Sequence, residues 1–139
     1  MKIYVMDAFA AKLFGGNQAG VALPEGDVSD ETMRLIAAEL KHSETAFVRP
    51  RADGSVDLRY FTPAGEVELC GHATIASFAL LRRLGPLADG RPGAHTKAGG
   101  GACWPTAAMW PTPRQATYRS PWMARWCGWI WPRPVGWES

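Results

Sequence analysis

The sequence predicts an α+β domain built around a mixed, mostly antiparallel sheet. Two segments have the apolar spacing of helices, and short β-prone runs bounded by Gly, Pro or Asp lie before and between them. These segments follow one another in the order ββαββα. The chain of 139 residues is long enough to bury a core of its own.

Each element has a local signal. The predicted elements are strands at residues 2–6 and 21–23, a helix at 30–40, strands at 45–48 and 56–61, and a helix at 73–84. Ser29 is a favourable N-cap for the first helix, and Asp30 and Glu31 complement its dipole. Gly85 and Pro86 form a strong stop for the second helix.

Residues 101–139 differ in composition from the rest. All seven tryptophans and six of the eleven prolines lie after residue 103. Residues 1–100 carry 11 Lys and Arg against 12 Asp and Glu, a formal charge of −1, whereas residues 101–139 carry four Arg and only Glu138, a charge of +3. This tail has neither a helical nor a strand period. We therefore predict a folded domain at 1–100 and an aberrant, poorly ordered tail at 101–139.

The composition argues against several classes of protein. No basic stripe interleaves with aromatic residues in residues 1–100, so no nucleic-acid partner is expected. Cys70, Cys103 and Cys127 form no C-x-x-C pair, so no metal site and no disulfide framework are indicated. The N-terminus is charged too soon for a signal peptide, and no apolar run approaches membrane-spanning length. We expect a cytoplasmic protein without a membrane partner.

Glu44 is the first candidate for chemistry. It lies in the run His42-Ser43-Glu44-Thr45, between the first helix and an apolar strand. A carboxylate at such a junction can be partly buried, which suits it to general acid/base catalysis. A solvated loop glutamate is the alternative, since most carboxylates are exposed.

A second candidate is the run Cys70-Gly71-His72-Ala73, where the second helix begins. The unpaired N–H groups at a helix start can hold a substrate carboxylate, and Gly71 allows close approach. His72 can donate a hydrogen bond or shuttle a proton. Cys70 could be a thiolate base whose pKa the helix dipole lowers, or a buried structural cysteine. A simple helix entry with a partly exposed histidine is the alternative for the whole run.

Three motifs occur together: DAFAAKLFGGNQAGVAL, IAAELKHSETAFV and LRYFTPAGEVELCGHATIASFALL. In this order and spacing they closely resemble the N-terminal half of the PhzF-type phenazine-biosynthesis isomerase family, over residues 1 to about 100. The resemblance implies one half of a diaminopimelate-epimerase-like fold, in which two similar α+β halves enclose the active site. It also implies a small-molecule substrate, no cofactor and the possibility of a homodimer.

The resemblance assigns roles to particular residues. Glu44 matches the family's catalytic glutamate, which removes a proton beside an activated carbon and returns it elsewhere. Gly71 and His72, followed by Ala73, match a motif that helps to bind and polarise the substrate. Asn17 lies in a loop expected to face the cleft.

The family's second half does not follow residue 100. After Thr96-Lys97-Ala98-Gly99 the family's usual pattern, T-x-A-G-x-L-x-V, gives way to Cys103-Trp104-Pro105. Reading the tail in a shifted frame restores A-G-x-L, gives an Asp-Gly turn followed by an apolar run, and compels no stop codon. We therefore hypothesise a frameshift. A genuine Trp-rich binding tail is the competing interpretation.

The predicted function is that of a cofactor-independent isomerase with Glu44 as its acid/base, truncated and weakly active or inactive. One alternative is an epimerase or racemase that uses Cys70 as one of two thiol bases, for which Cys103 and Cys127 are poor partners. Another is a non-catalytic half-domain that associates with itself.

Overall fold

A computed structural model describes residues 1–11, 14–85, 93–103 and 129–133. The strands are β1 (Lys2–Ala10), β2 (Asn17–Leu23), β3 (Thr45–Pro50), β4 (Val56–Thr62), β5 (Gly65–Val67), β6 (Gly93–Thr96), β7 (Gly99–Cys103) and β8 (Trp129–Arg133), and the helices are α1 (Asp30–Leu40) and α2 (Gly71–Leu84). Within the described ranges, neither helix is long and apolar enough to cross a membrane.

The strands form one mixed sheet in the order β7-β6-β4-β3-β2-β1-β8, and β5 pairs with β4 outside this path. The pairs β2–β3 and β4–β6 are parallel, and the other described pairs are antiparallel. The predicted α+β class and the mostly antiparallel sheet are therefore confirmed.

Alternating side chains of the strands pack on the two faces of the sheet. On β3, Ala46 and Val48 join the larger core cluster with α2, whereas Phe47 joins the smaller cluster with α1. Successive side chains of a strand point to opposite faces, so the two helices cover opposite sides of the sheet. The central strands are thereby held from both sides, and their ends are fixed relative to α2.

Both predicted helices are confirmed. The bounds of α1 agree with the prediction, and Ser29 caps it by accepting a hydrogen bond from the N–H of Thr32 at 3.2 Å. Helix α2 starts at Gly71, two residues before the predicted start. β1 continues to Ala10, beyond the predicted end, through Phe9 at a φ of 60°. The register with β8 shifts at this point, which identifies a bulge.

A short part of the tail forms a strand. The sequence shows no strand period there, but residues 129–133 form β8, which pairs with β1 in antiparallel register. Its Trp-Ile-Trp run is β-prone without alternating apolar and polar residues, so the period-2 signal is absent. Pro132 is compatible with this strand because β8 lies at the edge of the sheet. The boundary predicted at residue 100 falls within β7, and most of the predicted tail lies outside the described residues.

Candidate active site

The site lies where β3 begins and α2 starts. Glu44 immediately precedes β3, whose first residue, Thr45, is paired in register with Gly20 of β2. The N–H of Gly20 donates to the carbonyl oxygen of Glu44 at 3.2 Å, so the backbone of Glu44 is tied to the neighbouring strand. The candidate base is therefore carried by the sheet.

Buried hydroxyl groups hold the first turn of α2 in place. Thr74 Oγ1 donates to the carbonyl oxygen of Cys70 at 2.6 Å, and the hydroxyl of Tyr60 lies 2.6 Å from the same Oγ1. A threonine hydroxyl has one proton, so Tyr60 donates and Thr74 accepts in the second bond. Both side chains are fully buried, and burial raises the pKa of Tyr60, which keeps its proton. This chain of bonds holds the N-cap residue, Cys70, against β4.

Glu44, Cys70 and His72 form a compact cluster. Glu44 Oε2 lies 3.4 Å from His72 Nε2, and Cys70 Sγ lies 3.3 Å from His72 Nδ1. The side chains of Glu44 and His72 are 25% and 12% exposed, so both are more buried than a solvated loop glutamate or a simple helix entry would require. The fold thus brings together three residues that the sequence analysis proposed separately.

Glu44 Oε2 is buried and accepts no well-aligned hydrogen bond from the described residues, although the Cys70 thiol and His72 both lie near the carboxylate. His72 is within ion-pair distance of it but lacks the alignment of a hydrogen bond. A buried carboxylate oxygen without a partner costs free energy, which is recovered when a ligand supplies a proton or a positive charge. The cluster is therefore poised to accept a further group.

Cys70 is buried, which agrees with the alternative of a structural cysteine and not with a thiolate base. Burial raises the pKa of the Cys70 thiol, and the charge of Glu44 raises it further. The nearby N–H groups of Ala73 and His72 oppose this rise but do not outweigh it. A neutral thiol is the resting form, which counts against Cys70 as a thiolate base.

Gly71, Ala73 and Asn17 differ in exposure and in their position relative to this cluster. Gly71 is exposed at the first position of α2, and no described atom lies within 4 Å of where a Cβ would be. Ala73 is fully buried, so only its backbone N–H is available for binding. Asn17 is exposed at the start of β2, three residues before Gly20, at the sheet end where Glu44 lies.

The sequence analysis assigned no role to Ser43, which lies beside the cluster, or to Asp7, whose charge acts on His42. Ser43 Oγ lies 3.5 Å from His72 Nε2, on an exposed side chain next to Glu44 in the chain. Asp7 is buried and its charge acts on His42, opposing the burial that lowers the pKa of that histidine. Ser43 and Asp7 lie within two of the quoted motifs, IAAELKHSETAFV and DAFAAKLFGGNQAGVAL, which were the available signals.

Comparisons of this chain with known proteins agree on one protein family. Residues 6–103 match the family model PhzC-PhzF, described as phenazine biosynthesis-like protein. An isomerase named YddE from Escherichia coli K12 is 51% identical over 76 residues, which are 55% of this chain and 26% of that protein. An isomerase named YfhB from Bacillus subtilis is 43% identical over 94 residues, covering 67% of this chain and 32% of that protein. The chain thus spans about a third or less of these relatives.

Solved structures give the same result. A PhzF-family phenazine biosynthesis protein from Bacillus anthracis has a TM-score of 0.64 and 36% identity, over 72% of this chain and 35% of that one. A PhzF-family protein from Enterococcus faecalis has a TM-score of 0.63 and 36% identity, over 70% of this chain and 37% of that one. The chain therefore has the fold of one part of these larger proteins. This agrees with the prediction that it forms one half of a two-domain fold.

Proposed function

We propose that the site of this chain, which belongs to the phenazine biosynthesis-like protein family, is that of an isomerase. In this isomerase, Glu44 moves a proton between two atoms of a small-molecule substrate. The observation that carries the proposal is the unpartnered Oε2 of Glu44, 3.4 Å from His72 Nε2 at the start of α2. Two related proteins that are named isomerases support the reaction class.

The proposed reaction is a balanced proton transfer. The carboxylate of Glu44 takes a proton from an activated carbon, and the electron pair left on that carbon shifts into an adjacent double bond. Glu44, now a carboxylic acid, returns the proton to a second position of the same substrate. No electrons are gained or lost, and the base is regenerated.

The start of α2 supplies the binding part of the proposal. A negatively charged group of the substrate can accept hydrogen bonds from the N–H groups at the start of α2, of which those of His72 and Ala73 also lie within reach of the Cys70 thiol. The open space beside Gly71 permits the approach. His72 lies 3.4 Å from Glu44, and we assign it the role of donating to the substrate as charge develops. Asn17 is assigned to the rim of the site.

The described cluster supplies one side of a site. The chain spans about a third of its relatives' length, so we assign the opposing acid and the rest of the cleft to a second half, as the resemblance implies. The 139-residue chain is accordingly proposed to be weakly active or inactive. The cytoplasmic location, the homodimer and the tail as a separate segment also remain predictions.

We propose that the tail arises from a frameshift, as the restored A-G-x-L pattern suggests. Sequencing the DNA across codons 96 to 105 tests this directly. A shifted frame that continues into a second family-like half is the expected result. A shifted frame that closes quickly in stop codons contradicts the hypothesis.

Deuterium exchange tests the proposed reaction whatever the product is, because the proton that Glu44 holds as a carboxylic acid can exchange with D2O before it is returned to carbon. Small unsaturated carboxylic acids are incubated in D2O with the 139-residue chain and with a version in which the frame is restored. We expect little carbon-bound deuterium with the 139-residue chain and clear incorporation with the restored protein. The Glu44→Gln variant of the restored protein should lose this incorporation. Equal incorporation with and without Glu44 overturns the proposed role, and substantial Glu44-dependent exchange by the short chain overturns its proposed inactivity.

The thiol alternative is separated by the same assay. If Cys70 is the base, Cys70→Ser abolishes exchange and Glu44→Gln does not. The raised pKa of the Cys70 thiol favours the opposite outcome, in which Cys70→Ser retains most of the exchange.

A further inference from the structure

The cluster at the start of α2 has the composition of a metal site. Glu44, Cys70 and His72 each offer one ligand atom, and these atoms lie within 4.8 Å of one another. Carboxylate, thiolate and imidazole are the three side-chain groups that bind zinc. The site carries no sequence signature, because Glu44 and Cys70 come from different elements and no C-x-x-C pair is present.

The distances can be compared with those of a tetrahedral site. Zinc–ligand bonds of about 2.0–2.3 Å at tetrahedral angles place ligand atoms about 3.3–3.6 Å apart. Glu44 Oε2 and His72 Nε2 are already 3.4 Å apart, and Cys70 Sγ is 3.9 Å from the same Nε2. A rotation that brings Sγ from the Nδ1 side of the ring toward Nε2 closes the remaining gap.

A second observation points to a positively charged ligand. Glu44 Oε2 is buried and accepts no well-aligned hydrogen bond from the described residues, although it lies inside the cluster. A cation that binds this oxygen removes the cost of leaving it unpaired. It also brings Glu44, Cys70 and His72 into one stable set.

We propose that Glu44, Cys70 and His72 form a three-ligand site for a zinc-like divalent cation, and that occupancy blocks proton transfer by Glu44. The inhibitory part rests on the function proposed above, whereas metal binding does not. On binding, the Cys70 thiol releases one proton to solvent and becomes a thiolate ligand, so charge and atoms balance. The soft sulfur selects zinc or cobalt over magnesium or calcium. A fourth position remains open to water or substrate.

Cobalt titration of the 139-residue chain tests the site without an activity assay. A cobalt–thiolate bond gives a near-ultraviolet charge-transfer band, and tetrahedral geometry gives intense visible bands. We expect both bands at one equivalent of Co²⁺ and their displacement by Zn²⁺. Mg²⁺ should leave them unchanged.

Matched variants identify the ligands. Cys70→Ser should abolish the charge-transfer band, whereas Cys103→Ser with Cys127→Ser should retain it. Glu44→Gln should keep the band but weaken cobalt binding by at least about tenfold, the loss expected even for an outer partner of a metal ligand. Circular dichroism of each variant verifies that it is folded.

Two results would overturn the proposal. No band at saturating cobalt, or a band that survives Cys70→Ser and vanishes with the two tail cysteines, removes the metal site. A band with the expected dependence, together with undiminished Glu44-dependent exchange in the restored protein under saturating Zn²⁺, removes the inhibitory role alone. Loss of exchange on Zn²⁺ addition, reversed by a chelator, supports both parts.

Discussion

Oε2 of Glu44 lies 3.4 Å from Nε2 of His72, and the contact joins the loop before β3 to the first turn of α2. The contacts that hold both positions in the described part of the chain come from residues 1–100. The backbone of Glu44 is tied to β2 through Gly20, and the start of α2 is held by Thr74 and Tyr60. The proposed catalytic residues are therefore placed by the core of the domain.

Replacement of Glu44 should separate chemistry from folding. Glu44→Gln removes the base but keeps the shape, so exchange in the restored protein should fall by about 10²–10⁴-fold. Because the lost group is a carboxylate with a buried, unpartnered oxygen, stability should be unchanged or slightly higher. Exchange is measured by NMR in D2O and stability by urea unfolding. Glu44→Asp, which keeps a shorter carboxylate, is the control and should retain intermediate activity.

The hydroxyl chain beneath α2 should contribute measurably to stability. Thr74→Val leaves the Tyr60 hydroxyl buried without its partner and removes the bond to the Cys70 carbonyl, so the free energy of unfolding should fall by about 1–3 kcal/mol. Tyr60→Phe keeps the hydrogen bond from Thr74 to the Cys70 carbonyl oxygen, so it should lower the free energy of unfolding by less. Urea unfolding followed by circular dichroism measures both.

Ser77→Ala is the matched control for Thr74. Ser77 Oγ donates to the carbonyl oxygen of Ala73 at 2.6 Å, one turn farther along the same buried helix face. Removing the Ser77 hydroxyl leaves no other buried hydroxyl without a partner. Ser77→Ala should therefore lower the free energy of unfolding less than Thr74→Val. A loss for Ser77→Ala as large as that for Thr74→Val would show that the Tyr60 contact adds nothing.

Gly20 should tolerate no side chain. A Cβ at this position would lie 2.7 Å from Thr45 Oγ1 and 3.0 Å from Leu40 Cδ1, so Gly20→Ala must displace β3 or its side chains. The overpacking should cost about 1–3 kcal/mol in the free energy of unfolding. Gly26→Ala, which meets no described atom within 4 Å, is the control and should change stability little. An unchanged urea midpoint for Gly20→Ala would contradict the close approach of β2 and β3.

The parts of the fold that sequence predicted well are those with local signals. Helix α1 has its N-cap, its acidic first turn and its apolar spacing within one continuous segment. Strands β5, β6 and β7 are short and begin at glycines, so no alternating pattern marks them. They form through pairing with distant strands, for example β6 with β4, which local propensity does not encode.

The site was predictable by residue but not by arrangement. Glu44 and His72 were each proposed from their motifs, but their contact depends on the parallel register of β2 and β3 and on where α2 starts. Of the two alternatives for Cys70, the thiolate base is not supported, because burial and the Glu44 charge raise the pKa of the thiol more than the N–H groups at the helix start lower it. The Glu44–His72 contact and the raised pKa of Cys70 both arise from packing in the folded chain.

The charge network on β4 should make stability depend on acidity. Arg59 donates to both carboxylate oxygens of Glu66, at 2.7 and 2.9 Å, and also to Asp30 at 2.8 Å. These hydrogen bonds, aided by Lys97 and opposed by burial, hold the pKa of Glu66 below its ordinary value of 4.5. Because the folded-state pKa is the lower one, the stabilisation is present above 4.5 and is lost as pH falls through the folded value.

Acid titration of stability tests this network. Glu66→Gln should lower the free energy of unfolding at neutral pH by about 0.5–1 kcal/mol, since the side chain is well buried but Arg59 is partly solvated. The difference from the parent chain should shrink as pH falls below 4.5, because the parent then loses the same charge. Glu68→Gln, at an exposed position two residues along, should follow the parent at every pH. A Glu66→Gln difference that stays constant down to about pH 3 would show that the lost contact is steric packing instead of charge.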